Sequence, residues 1–184
     1  MPWTNEQIAE NASRFLEEQN AVRFPVDTYS LARGQGFKLE WRDFRQIDSD
    51  IIGMILVNDS EKIIEGVNMS ANRIIAMSDA LSEAEERYIL AHELGHFRLH
   101  RQPLFAFSDR ESQDNLNDPK EREAERFARE LMMPERAMRT ATTLYEGDAQ
   151  YKSMFTSLVE YISAMFFVPL EKAGFRLNEL GLTA

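Results

Sequence analysis

Residues 87–100 read Arg87-Tyr88-Ile89-Leu90-Ala91-His92-Glu93-Leu94-Gly95-His96-Phe97-Arg98-Leu99-His100, and the rest of the chain is best understood outward from them. Ser82-x-x-Glu85 has capping-box spacing just upstream, and Ala84, Tyr88, Ala91, Gly95 and Leu99 form one stripe at helical period, so a long helix is expected here. Residues i and i+4 of a helix share a face, which lets His92 and His96 aim both imidazoles at one ion. Glu93 follows the first histidine, placed to handle the proton of a metal-bound water. Two neutral imidazoles and an adjacent carboxylate are how a zinc hydrolase begins. The chain has only three histidines, and all three, 92, 96 and 100, fall in this one window.

Catalytic zinc takes three protein ligands and keeps one position open for water. A third histidine six residues after the second, beyond a glycine turn, is one solution. Here His100 follows His96 by four residues with no glycine between, and on a continuing helix its Cα lies about 12 Å from that of His92 at ~1.5 Å per residue. His100 is therefore read as support behind the ligands or for the transition state, or as a cation favoured at a helix end. The next helix offers carboxylates instead. Asp118-Pro119 is a strong helix start, with Asp as N-cap and Pro in the first turn, and the helix runs to Met133 before Pro134. It carries Glu121, Glu123 and Glu125. Glu121 shares a face with Ala124, Ala128 and Leu131, small and apolar residues that allow close approach to the histidine helix. Its rival task is to complete an Asp118-x-x-Glu121 capping box.

Upstream, Thr4-x-x-Gln7 opens a helix over about residues 5–19, and Asp27 caps a short helix through Arg33 that Gly34 and Gly36 end. Phe37, Leu39 and Trp41 alternate with polar residues, as in a strand with one buried face. Ile51 to Val57 is almost continuously apolar and reads as a central strand, turned by Asn58-Asp59-Ser60, and Arg73 to Met77 is a third strand. Residues 101–118 read as a polar loop, in which Phe105 and Phe107 either edge a substrate site or pack beneath the loop. Residues 135–184 are helical by pattern, with a turn at Val168-Pro169. Met132 and Met133 read as core. The expected class is α+β: a small three-stranded, mainly antiparallel sheet against the two ligand helices and a C-terminal helical region. One domain, 1–184, is expected, with a catalytic core over about 1–134 and the helical region over about 135–184.

Composition narrows the function. The 184 residues are 43% hydrophobic and 28% charged, as in folded soluble proteins. A net charge of −10 disfavours direct nucleic-acid binding, which needs a basic surface. No signal peptide or membrane span is visible, and cysteine is absent, so a cytoplasmic protein is expected.

Three segments together resemble the ImmA/IrrE-type metallo-endopeptidases of bacteria and their mobile elements. Arg87 to His100 is similar to the family's zinc helix with its trailing histidine. Glu121-Arg122-Glu123-Ala124-Glu125-Arg126-Phe127-Ala128 through Pro134 is similar to its glutamate helix. Met165 to Pro169 and Arg176 to Leu182 are similar to its C-terminal tail, and Phe24-Pro25-Val26-Asp27 to Gly36-Phe37 is a weaker match. The resemblance implies a gluzincin-like site with His92, His96 and Glu121 on Zn2+ and Glu93 as general base, with His100 or a tyrosine stabilising the oxyanion. It also implies limited cleavage of a protein substrate, a repressor or antitoxin-like regulator. Family members typically carry Asn or Asp where this chain has Glu125, which makes Glu125 an alternative ligand. Relatives often carry a helix-turn-helix domain, for which there is no room, so a DNA-binding partner would be a separate protein. A different class of function is a zinc-containing protein-binding module with little hydrolysis, against which Glu93 argues, because a binder does not need it. A structural zinc site would favour four protein ligands and cysteines.

Overall fold

Each helix start expected from a capping residue is closed by that residue's side chain. The computed structural model describes residues 2–44, 52–58, 62–64, 67–69, 72–100, 106–107 and 118–183. At α1 (Asn5–Glu18) the Thr4 hydroxyl accepts the Gln7 N–H at 3.2 Å and the Gln7 amide oxygen accepts the Thr4 N–H at 3.0 Å. Asp27 accepts the Ser30 N–H at 3.1 Å to open α2 (Thr28–Gly34). At α3 (Glu83–His100) the Ser82 hydroxyl accepts the Glu85 N–H at 3.4 Å and the Glu85 carboxylate accepts the Ser82 N–H at 2.7 Å, and at α4 (Pro119–Met132) Asp118 accepts the Lys120 N–H at 2.8 Å. These bonds satisfy donors that a helix beginning leaves open. The helical C-terminal region resolves into α5 (Glu135–Gly147), α6 (Ala149–Met154), α7 (Leu158–Phe166) and α8 (Leu170–Glu179). No helix among the described residues is long and apolar enough to cross a membrane.

The three expected strands are present as β1 (Phe37–Arg42), β2 (Gly53–Asn58) and β5 (Asn72–Ser78), with a hairpin of β3 (Lys62–Ile64) and β4 (Val67–Met69) between the last two. A two-residue strand, β6 (Ala106–Phe107), lies within the stretch expected as a polar loop. The order is β1-β5-β2-β6. β2 pairs antiparallel with β5 and β6, whereas β1 pairs parallel with β5, Phe37 opposite Arg73. The sheet is thus mixed with a mainly antiparallel body, because β5 inserts between two strands that are neighbours in sequence. Asp59, Ser60 and Phe105 lie outside the described residues.

The near-continuous apolar character of β2 reflects cover on both faces. Ile55 and Val57 enter the main core, while Met54 packs on a small second cluster of Phe44 and Ala76. β1 departs from its expected buried face: Phe37 is buried and lies edge-on to Phe97 with centroids 5.1 Å apart, yet Trp41 is 45% exposed. Among the described residues β1 is an edge strand paired only with β5, and its far end is left partly uncovered.

α3 is buried beyond its predicted stripe, since Ile89, Leu90 and Leu94 are buried as well. One side meets β2, where an added Cβ on Gly53 would lie 2.5 Å from Ile89 Cγ2. Another side meets α4. There an added Cβ on Gly95 would lie 3.0 Å from the Ala124 carbonyl oxygen and 3.1 Å from its Cα. α4 is held from behind by α1, with Phe15 and Phe127 centroids 6.2 Å apart, and by α8, whose fully buried Arg176 donates to Glu130 at 2.6 Å and to the Met133 carbonyl at 3.1 Å. Met132 and Met133 are core, and one apolar cluster runs from Ile8 to Leu177.

Gly95→Ala should destabilise the protein by roughly 1–2 kcal/mol, overpacking outweighing the gain in helix propensity. Gly147→Ala, where an added Cβ meets nothing within 4 Å, should not destabilise it. Urea-unfolding midpoints check both, and a wild-type midpoint for Gly95→Ala would show that the helices are not in tight backbone contact.

Candidate metal centre

Helical spacing puts Tyr88, His92, His96 and His100 on one side of α3. The His92 and His96 rings are nearly perpendicular with centroids 4.7 Å apart, and their Nε2 atoms are 3.0 Å apart. The crossing at Gly95 and Ala124 sets the first turn of α4 against this pair. Glu121, three residues before Ala124, places Oε2 3.2 Å from His92 Nε2 and Oε1 3.3 Å from His96 Nε2. The rival capping task is left to Asp118, which caps through Lys120.

One donor atom from each of His92, His96 and Glu121 lies within 4.8 Å of the others. Tetrahedral zinc with bonds of about 2.0–2.1 Å requires donors about 3.3 Å apart along each edge. The two Nε2 atoms are 3.0 Å apart and each faces a different oxygen of Glu121, at 3.2 and 3.3 Å, so both imidazoles and the carboxylate surround one point that a small divalent ion fits. Two imidazole nitrogens with one carboxylate are a donor set suited to zinc and related divalent metals. His96 is buried, while the His92 and Glu121 side chains keep 13% and 18% exposure, so the cluster opens to solvent on that edge.

The electrostatics are those of a cation site. Burial alone would lower the pKa of His92, but contacts with Glu121 and Glu125 and the charge of Glu93 raise it to about 10. Burial would raise Glu121, and the hydrogen bonds from His92 and His96 overturn this and hold it at about 2. His96 moves down, by burial first and by the charge of His92 beside it. The cluster thus holds its positive charge on His92.

Glu125 lies on the other side of the His92 ring from Glu121. Its Oε2 is 3.6 Å from His92 Nδ1, and its Oε1 accepts from Tyr88 Oη at 2.8 Å and from Arg129 and Lys172 at 3.2 Å each. Burial would raise its pKa, and the contact with His92 and the charges of Lys172 and Arg129 hold it down instead. Glu93 is buried on α3, and Gly53 of β2 makes room for it: an added Cβ there would lie 3.2 Å from Glu93 Oε1. His100 is set behind His96, with the two Nδ1 atoms 3.2 Å apart, and its Nε2 lies 2.9 Å from Glu123 Oε2. The sequence reading missed the partners of Glu123 and Glu125. Tyr88, four residues before His92, was a readable signal for one of them, whereas Lys172 and Trp3 carry no local signal.

Residues 44–178 match the peptidase M78 family, by its IrrE N-terminal-like domain. The metallopeptidase ImmA of Bacillus subtilis (strain 168) is 29% identical over 96 residues, 52% of this chain and 51% of that protein. The chain spans about half the length of this curated relative.

A metal ion bound at this cluster must displace the proton that His92 holds up to a pKa of about 10. Apparent zinc affinity should therefore rise about tenfold per pH unit between pH 6 and 8, with about one proton released per ion. Chelator competition across pH reads this directly, and a pH-independent affinity would contradict it.

Proposed function

The chain belongs to the peptidase M78, IrrE N-terminal-like family, and on that premise we propose that it is a zinc-dependent endopeptidase making limited cuts in a regulatory protein. The observation that carries the reading is the convergence of His92, His96 and Glu121 donors around one point, the two imidazole nitrogens each facing an oxygen of the same carboxylate. His92 and His96 would hold the ion through Nε2 and Glu121 through its carboxylate, beside the exposed edge of His92 and Glu121. Zinc held there would polarise a peptide carbonyl and bring the pKa of a bound water toward neutrality.

Glu93 accepts a proton from the attacking water and returns it to the leaving amine, so the carboxylate ends the cycle as it began. Its burial beside Gly53 keeps that proton from exchanging freely with bulk water. Glu125 steadies His92 through Nδ1, while Tyr88, Arg129 and Lys172 hold Glu125 in place. His100 acts through His96 instead of on the substrate. The substrate class, a repressor or antitoxin-like regulator of a mobile element or stress response in the cytoplasm, is supported by the resemblance of the two ligand helices and the tail to ImmA/IrrE-type enzymes. The acidic chain fits action on a protein in preference to DNA.

Glu93→Gln should keep zinc and lose cleavage of a regulator encoded beside its gene by about 10²-fold or more. Wild-type cleavage by this variant would sink the peptidase reading, and zinc-replete wild type that cuts no such regulator would favour a binding module. Glu121→Ala should lower zinc affinity further than Glu125→Ala, which separates the ligand from the group behind His92.

A further inference from the structure

The carboxylate behind His92 touches that ring directly, but the one behind His96 does not. An imidazole stands between them. His96 Nδ1 faces His100 Nδ1 at 3.2 Å, and His100 Nε2 faces Glu123 Oε2 at 2.9 Å. Glu123 Oε1 accepts the backbone N–H of Trp3 at 2.7 Å, and the Trp3 indole N–H donates to the Leu99 carbonyl, beside His100, at 3.2 Å. The His96 and His100 side chains are 3% and 5% exposed, so water does not substitute freely for these partners.

We propose that Trp3, Glu123 and His100 form a relay that fixes the tautomer and ring orientation of His96, making the N-terminal segment a positioning element of the metal centre. The inference rests on the metal-site reading above. Two facing Nδ1 atoms share one hydrogen. If His96 gives Nε2 to a metal, its proton is on Nδ1, and His100 Nδ1 accepts it. His100 then carries its own proton on Nε2 and donates it to Glu123 Oε2, leaving Oε1 for the Trp3 N–H. Each donor along the chain meets one acceptor, and the reversed order would place the His96 proton on the nitrogen that faces the ion. A carboxylate at the end of such a chain raises the basicity of the coordinating imidazole and holds its plane. Trp3 immediately precedes Thr4, the N-cap of α1, so the position of α1 is coupled to the outer face of His96.

Long-range proton–nitrogen NMR of the histidine rings in the full-length protein tests the relay directly. His100 should be the Nε2–H tautomer both without metal and with zinc, and His96 should carry Nδ1–H with zinc. A proton on His100 Nδ1 donating to His96 would overturn the relay. His100→Phe should weaken zinc binding by about 10–100-fold. His100→Gln should recover much of it, because its amide accepts from His96 and donates to Glu123. Glu123→Gln should also weaken binding, since its NH2 group takes the place of one of the two carboxylate oxygens and faces a donor, from His100 or from Trp3. Wild-type zinc affinity in a folded His100→Phe would overturn the proposal. Wild type that binds no metal would instead remove the metal-site reading, and the His100 tautomer in the metal-free protein would still decide the relay.

Discussion

Helices α3 and α4 come to backbone contact at one point, Gly95 against Ala124. At Gly95 the absence of a Cβ lets the α3 main chain rest on the carbonyl and Cα of Ala124, a proximity that any larger residue would open by tenths of an ångström. Everything in the candidate centre depends on that distance. Histidines on one helix and a glutamate on the other reach a common point only if the axes stay close, and donor separations near 3 Å leave little slack. Phe127 against Phe15 and Arg176 against Glu130 press α4 onto α3 from behind. Gly53 plays the same part on the strand side, bringing β2 flush against Ile89 and Glu93.

Against this frame α4 spends its three glutamates differently. Glu121 faces the inner nitrogens of His92 and His96, Glu125 the outer nitrogen of His92, and Glu123 the far nitrogen of His100. Partly buried carboxylates at this density are costly unless positive charge stands among them. The upward shift of His92 and the downward shift of Glu121 express that demand: the cluster keeps a proton where it is built to keep a cation.

Much of this was legible in the sequence because its causes are local. The capping pairs at Thr4, Ser82 and Asp118, the i and i+4 histidines and the small residues of α4 each act within a turn or two of helix. The choice between capping and metal binding for Glu121 was not legible, because it depends on how α3 and α4 cross. The parallel pairing of β1 with β5 escaped for the same reason, since strand order is set by the whole sheet. Trp41 looked buried because alternation reports a face without reporting whether anything covers it. Glu125 was open as a ligand. Its side chain reaches Tyr88, Arg129 and Lys172, the last of them 47 residues away on α8.

The bond between Trp3 and Glu123 spans 120 residues, whereas that between His92 and Glu121 spans 29. By chain entropy alone, closing the longer loop costs about 1.3 kcal/mol more than closing the shorter. The Trp3 indole, bonded to the Leu99 carbonyl, shares that cost with the backbone donor. On chain entropy alone the inner cluster is the less costly to close, and the Trp3 strap is a latch across it. A centre with that latch undone would keep its ligands gathered while losing the hold on the ring behind them.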